Sequence, residues 1–202
     1  MDGIKFDKNK NIFKPCKLIS ETFVLNKAAN QDQYDTSKGL DFVFSVDGKD
    51  IKASTYLLAM NSDVFQTMLI NDWKDSREGR VDIEDVEFDV MNTFVRALHG
   101  VEMTIKDITM AIKLMIVADK YKVEPLQVLA ENYVKNGIRG DSVIDALVVS
   151  HQLGITDIQE KCLTYIGNCK KPLIELTGYD KVPQEVAVLV IETVYKKLVQ
   201  PK

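Results

Sequence analysis

The amino-acid sequence predicts an α+β protein, in which a small, mainly antiparallel sheet flanked by short helices is followed by a region made of helices alone. Three observations lead to this prediction. A β-hairpin pattern opens the core, a short strand follows two helical segments, and from Ile105 onward the apolar residues recur only at helical spacing. We therefore expect an N-terminal segment over residues 1–38, a mixed domain over 39–137 and an all-α extension over 138–202.

The N-terminal segment differs from the core. Residues 13–25 contain β-branched and aromatic residues that suit an extended segment, which Pro15 confines to a strand start or to an edge strand. The polar residues 26–39 predict at most a weak helix. We expect this segment to be partly flexible, since chain termini are poorly ordered unless they are tied down.

The mixed domain opens with two adjoining strands. β-Branched and aromatic residues at 41–46 precede Asp47-Gly48, a pair that is typical of a two-residue turn. Residues 50–53 can then return as the second strand. The sequence therefore predicts a β-hairpin.

Short helices follow the hairpin. Ser54 or Thr55 can cap the first helix, and Asn61-Ser62 separate it from the second. A polar stretch then leads to a short strand over residues 80–83. Apolar periodicity, with glycine or proline at several ends, predicts further helices over residues 90–98, 105–121, 126–136, 143–153, 155–169 and 183–198.

The charge balance argues against nucleic acid as a partner. Lys and Arg total 26 and Asp and Glu total 30, which gives a net charge of −4 and a pI near 5.3. No apolar run approaches the roughly 18 residues that a membrane span requires. We therefore expect an intracellular protein, nuclear, cytoplasmic or both, with neither a nucleic acid nor a membrane as partner.

Residues that could carry chemistry are sparse. Cys16, Cys162 and Cys169 form an odd set that is typical of free thiols in a reducing compartment. His99 and His151 have no neighbours at metal-ligand spacing, so we expect both to be structural or surface residues. The sequence contains no phosphate-loop, nucleophile-elbow or zinc-hydrolase motif. We expect no catalytic site, no cofactor and no metal, and hence not an enzyme.

The only tryptophan, Trp73, lies within the charged run 72–80. Mixed charges of this kind are typical of a solvated connection between secondary elements. A solvated connection gives no reason for a large aromatic residue, whereas tryptophan is enriched where proteins dock partners. Trp73 is therefore a candidate contact residue.

Several pieces of the sequence, taken together, resemble the BTB/POZ domain. They are Asp41 before the first strand, LLAMNSDVF at 57–65, VDIEDVEFDV at 81–90 and ADKYKVEPL at 118–126. Residues 141–169 are similar to the BACK-like (3-box) helical extension of cullin-3 adaptors, and LTGYDK at 176–181 is similar to the matching stretch of the speckle-type POZ proteins. The resemblance implies the BTB/POZ fold followed by that extension.

The resemblance also implies a function without catalysis. Such proteins are homodimers that recruit substrates to a cullin-3 RING E3 ubiquitin ligase, which raises the effective concentration of substrate at the enzyme. The residues implied in cullin-3 binding are Met68, Trp73, Asp75, Asp119, Tyr121 and Ile144. Those implied in the dimer interface are Leu25, Tyr34, Leu57 and Leu58.

Two departures from the family pattern keep an alternative open. Asp75 stands where the family contact has Glu, and the leading helix, with Leu25 and Tyr34, is more polar than usual. The alternative is a BTB/POZ dimerisation or scaffold protein, in structural assembly or transcriptional repression, that recruits no cullin. The substrate is not identified, and either residues 1–38, a longer parent protein or a partner would recognise it.

Overall fold

The structure is a computed structural model that describes residues 6–7, 12–13, 27–70, 79–169 and 171–199. The chain divides into two compact units. The first combines Met1–Lys106 with Lys113–Ala130, and the second combines Asp107–Ile112 with Glu131–Lys202. The domain boundaries predicted after residues 38 and 137 stay predictions beside this division.

The first unit contains all of the described strands and four complete helices. The strands are β1 (Phe6–Asp7), β2 (Ile12–Phe13), β3 (Phe42–Val46), β4 (Lys49–Ala53), β5 (Arg80–Ile83) and β6 (Met103–Thr104). The helices are α1 (Lys27–Asp35), α2 (Thr55–Asn61), α3 (Asp63–Ile70) and α4 (Phe88–Leu98). The weak helix predicted within 26–39 is confirmed as α1, whereas residues 14–25 of the predicted extended segment lie outside the described residues.

The larger sheet has the strand order β4-β3-β5 and is mixed. Within it, β3 pairs antiparallel with β4 and parallel with β5, so that Phe44 lies opposite both Ile51 and Val81. Three of the four strand pairings among the described residues are antiparallel, so the predicted α+β class with mainly antiparallel pairing is confirmed. The parallel pairing of β3 with β5 was not predicted. Because α2 and α3 lie between β4 and β5 in the chain, β5 can return in the same direction as β3. In the smaller sheet, β2 pairs antiparallel with β1 and with β6.

The predicted hairpin is confirmed, and its turn also forms a hydrogen bond to a helix. Asp47 and Gly48 have φ values of 52° and 72°, the left-handed pair that a tight hairpin turn requires. The Asp47 Oδ2 atom also accepts a hydrogen bond from the Phe88 N–H at the start of α4, at 3.1 Å. One side chain thus connects the hairpin turn with the helix.

The start of α2 is capped from a distance. Ser54 occupies the N-cap position, but its side chain makes no capping hydrogen bond. The Asp41 carboxylate instead accepts from the Thr55 N–H at 2.8 Å and from the Thr55 hydroxyl at 2.7 Å. Burial alone would raise the pKa of Asp41, but these hydrogen bonds outweigh it and hold the pKa below its ordinary value.

A continuous set of aromatic rings forms the centre of the first unit. Phe44 packs edge-on against Phe42 and Phe65, with ring centroids 5.1 and 5.6 Å apart respectively. Phe65 stacks on Tyr121 at 4.5 Å, and Tyr121 lies 5.4 Å from Phe94. Strand and helix are therefore joined through rings that are all removed from solvent.

His99 is a buried structural residue, as predicted. The Ser54 N–H donates to Nε2 at 2.9 Å, so Nε2 carries no proton, and the Nδ1–H donates to the Val95 carbonyl at 2.8 Å. The edge of the Tyr34 ring packs on the imidazole, with centroids 5.2 Å apart. Burial lowers the pKa of His99, although its hydrogen bond to Val95 partly opposes that shift.

This burial predicts a stability loss in mild acid. Because the pKa is lower in the folded chain, the unfolded chain takes up the proton first as the pH falls below about 6.5. His99 makes its full contribution to the free energy of unfolding above that pH. Below it the contribution is lost, by up to about 1.4 kcal/mol per pH unit. Chemical denaturation at about pH 7.5 and at about pH 5.5 measures the free energy of unfolding at each pH. Its decrease between the two should be larger for the wild type than for His99→Gln. Equal losses would contradict this assignment, since the two proteins differ only at residue 99.

Two helices contribute residues to both units. They are α5 (Ile108–Lys120) and α6 (Glu124–Gly137). The second unit also holds α7 (Val143–Gln152), α8 (Thr156–Asn168), two 3-10 turns (Leu173–Glu175 and Tyr179–Lys181) and α9 (Gln184–Val199). The prediction of a helical C-terminal region is confirmed. None of the helices in the described part of the chain is long and apolar enough to cross a membrane.

The core of the second unit is apolar and includes one cysteine. Its buried residues include Val143, Ile144, Leu147, Ile158, Cys162, Ile166, Leu176, Val186 and Val190. Burial raises the pKa of the Cys162 thiol to about 12, so this thiol stays protonated. Cys162 and Cys169 are free thiols, as predicted, and Cys16 lies outside the described residues.

Candidate functional site

The candidate site of the first unit is built where α3 meets the end of α5. Met68 is half-buried on α3, whereas Asp119, Lys120 and Lys122 are exposed at the end of α5. We call these four residues the α3–α5 surface. Its members are one thioether side chain and three charged side chains, all of them at least partly accessible to another protein.

A polar contact and an aromatic stack fix the two helices of this surface together. The Phe65 and Tyr121 rings are nearly parallel, at an angle of 13°. The Ser62 hydroxyl donates to the Tyr121 carbonyl at 2.5 Å and accepts from the Phe65 N–H at 3.1 Å. Ser62 therefore caps α3 and holds the chain that leaves α5. Met68 stands one turn after Phe65 on this supported helix.

Charge pairs extend the surface toward the loop before α4. The Lys120 ammonium lies 2.7 Å from the Asp85 carboxylate and 5.3 Å from the centre of the Tyr121 ring. The hydrogen bond from Lys120 is the main cause that lowers the pKa of Asp85. Burial tends to lower the pKa of Lys120, but its bonds to Asp85 and the field of Tyr121 raise it overall. Both groups are therefore charged at neutral pH.

Two further lysines repeat this pattern, which sequence reasoning missed. Lys113 pairs with Glu87 at 2.5 Å, and Lys106 pairs with Asp89. The signal was present, because the three lysines are seven residues apart and the three acids alternate at 85, 87 and 89. Each pair is exposed to solvent and adds little to stability, but together they line one edge with paired charges.

The residues implied in cullin-3 binding fall into three groups. Met68 and Asp119 lie on the α3–α5 surface, whereas Trp73 and Asp75 lie outside the described residues. Tyr121 is only 6% exposed and Ile144, in the second unit, 1%. Direct contact through these two side chains is corrected, because each is packed within its own unit. Tyr121 supports the surface from beneath.

The residues implied in the dimer interface are also divided. Leu57 is half-buried on α2, Leu58 is fully buried in the core, and Leu25 lies outside the described residues. A dimer contact through the Leu58 side chain is therefore corrected. Tyr34 packs against His99, and Arg96 lies over its ring at 5.3 Å. These two contacts hold α1 on α4.

Sequence reasoning missed two exposed residues on α2. Tyr56 is 68% exposed and Met60 is 53% exposed, and they are four residues apart on one face of the helix. The signal was available, since both are large residues beside Leu57. They give α2 an apolar face that a second protein chain could cover.

The described residues form no group of three or more His, Cys, Asp or Glu that could hold a metal ion. On the α3–α5 surface Lys122 pairs with Asp119, and Lys120 pairs with Asp85 in the loop before α4. The α3–α5 surface can therefore contact another protein through its charges and its shape.

Comparison with known proteins gives a consistent result. The family model described as BTB/POZ domain matches residues 30–138. The chain is 30% identical over 144 residues to Protein maternal effect lethal 26 of Caenorhabditis elegans, a match that covers 70% of this chain and 36% of that protein. It is 27% identical over 142 residues to BTB/POZ domain-containing protein At4g08455 of Arabidopsis thaliana, covering 70% of this chain and 58% of that protein. The chain thus spans less than two thirds of either relative.

Two solved structures are similar to the chain at low identity. The BTB domain of zebrafish PATZ1 has 13% identity and a TM-score of 0.46, covering 58% of this chain and 93% of that one. The BTB domain of human Gigaxonin has 14% identity and a TM-score of 0.44, covering 66% of this chain and 98% of that one.

Proposed function

The chain belongs to the BTB/POZ domain family, and from this premise we propose that it is a substrate-recruiting adaptor of a cullin-3 RING E3 ubiquitin ligase. Domains of this family generally dimerise and bind partner proteins. In the proposed role, cullin-3 binds the α3–α5 surface and α7 of a BACK-like second unit, while a substrate is held elsewhere.

The α3–α5 surface is the observation that carries this proposal. It contains Met68 and Asp119, two of the residues that the family resemblance implies in cullin-3 binding. Its helices are fixed by the Phe65–Tyr121 stack and the Ser62 hydrogen bonds. A surface held in one arrangement before binding loses little conformational freedom when a partner docks. Ligation by proximity requires such a rigid docking face and no catalytic group of its own.

The exposed face of α2 favours a second candidate, a scaffold that works through self-association alone. Tyr56 and Met60 are large apolar side chains that a single chain leaves in solvent. A second copy packed on α2 would cover them, next to the half-buried Leu57. This arrangement needs no cullin, so cullin binding separates the two candidates.

Calorimetry with the N-terminal half of cullin-3 tests the proposal. We expect the wild type to bind, and Trp73→Ala to weaken binding by about thirtyfold or more, the loss of a central anchor. Met68→Ala should weaken it by about fivefold. Met60→Ala is the matched control, a methionine truncation on the neighbouring helix, and should change the affinity by less than about twofold.

The opposite result has a definite meaning. A folded wild-type chain that does not bind cullin-3 would overturn the adaptor proposal and favour the scaffold. Light scattering of Met60→Ala and Tyr56→Ala would then show whether α2 is the self-association face.

A further inference from the structure

An open groove runs between α8 and α9 in the second unit, with a volume of about 1070 Å³. Leu163, Leu173 and Val194 line it and are only half-buried. A volume of this size can take several side chains of a bound segment. The groove therefore offers apolar area that its own unit leaves unfilled.

Gly167 leaves room for the Lys197 side chain beside α8. A Cβ atom at this position would lie 3.3 Å from Lys197 Cδ and 3.6 Å from Thr193 Cγ2. A side chain here would therefore press on the Lys197 side chain. The glycine thus keeps the Lys197 stem close to α8, at the side of the groove.

The charge around the groove is opposite to that of the whole chain. Lys171, Lys196 and Lys197 lie along it and are exposed, while Glu160 is the acidic residue among the described lining residues. The chain as a whole has a net charge of −4. The groove is thus a local positive site on an acidic protein.

The lysine charges are weakly compensated by their neighbours. Lys197 Nζ donates to the neutral amide oxygen of Asn168. The Lys196 ammonium is 3.9 Å from the Glu192 carboxylate, and both side chains are largely in solvent. Solvent-exposed pairs at such distances are worth little, so both ammonium groups can turn to an incoming carboxylate.

We propose that this groove binds an acidic amphipathic segment of a partner protein, with apolar side chains in the groove and Asp or Glu side chains against the lysines. Charge complementarity selects this occupant. The Lys-rich start of this chain is excluded, because residues 1–27 contain six lysines and three acidic residues. The proposal is independent of cullin-3 binding, since the lining residues belong neither to the α3–α5 surface nor to α7.

Fluorescence anisotropy with the full chain tests this proposal. The probe is a labelled helical peptide in which Leu and Phe at helical spacing are flanked by Asp and Glu. Two comparison peptides carry Asn and Gln in place of the acids, or Ala in place of Leu and Phe. We expect the probe to bind about tenfold more tightly than either comparison peptide, because charge and apolar area must act together.

A matched pair of variants locates the site. Lys196 and Lys135 are both exposed lysines near a helix C-terminus, each with a glutamate four residues earlier. Lys196→Glu should weaken binding of the probe by about fivefold or more, whereas Lys135→Glu should change its affinity by less than about twofold. Both variants should keep the wild-type affinity for cullin-3, which separates this proposal from the adaptor role.

Three results would overturn the proposal. One is no binding of the probe, and another is equal binding of the acidic and amide peptides. The third is that Lys196→Glu changes the mass of the chain in light scattering but not its affinity for the probe. That outcome would make the groove an interface between copies of this chain.

Discussion

Tyr121→Ala lowers the free energy of unfolding by about 3–5 kcal/mol, the loss typical of a large aromatic side chain buried in a core. The ring stacks on Phe65, lies against Phe94 and has only 6% of its surface exposed. Removing it leaves a cavity among side chains that strand and helix hold in place. Chemical denaturation followed by circular dichroism measures the loss.

Two tyrosine variants serve as controls for this loss. Tyr121→Phe keeps the ring and should stay within about 1 kcal/mol of the wild type. Tyr56→Ala removes an exposed tyrosine from α2 and should change stability by less than about 0.5 kcal/mol. A Tyr121→Ala chain as stable as the wild type, but without cullin-3 affinity, would restore Tyr121 as a direct contact.

Ile144→Ala destabilises the second unit by about 2–5 kcal/mol. Ile144 is 1% exposed on α7, and its Cγ2 atom lies 3.6 Å from the place where a Cβ would stand on Gly178. Gly178 has a φ of 84° between the two 3-10 turns, so the chain passes directly over the isoleucine. Truncation of Ile144 opens a cavity beneath the turn at Gly178. The turn can fill that cavity only by changing its backbone conformation.

Ile174→Ala is the matched control for the second unit. Ile174 lies in the first 3-10 turn and is 82% exposed, so the same chemical change should cost less than about 0.5 kcal/mol. Thermal or urea denaturation of both variants gives the comparison. Equal effects of the two would mean that Ile144 is not packed as the structure places it.

Local signals in the sequence predicted most of the secondary structure. Asp47-Gly48 predicted the hairpin because few residue pairs accept two left-handed conformations in succession. The periodic apolar residues predicted α7 and α8 because each helix buries one face. These patterns act within a few residues, which is why reading along the chain finds them.

The strand at 80–83 was predicted, but its partner strand and the other contacts between distant residues were not. The pairing of β3 with β5 joins residues separated by two helices, and Asp41 caps a helix that begins fourteen residues later. The family resemblance gave Tyr121 a position but not its exposure, which depends on the ring of Phe65 facing it. The Tyr56 and Met60 face was missed because apolar residues on a short helix are ordinarily assigned to the core.

Asp47 both adopts a left-handed conformation and accepts a hydrogen bond, and these two roles restrict which residues can replace it. The turn needs a residue that accepts a positive φ, and the first N–H of α4 needs a side-chain acceptor within reach. Glycine meets the first requirement and lacks the acceptor, whereas serine has an acceptor but less readily adopts the left-handed conformation. Aspartate and asparagine satisfy both. A substitution at this one turn residue would therefore also affect the start of a helix forty-one residues later.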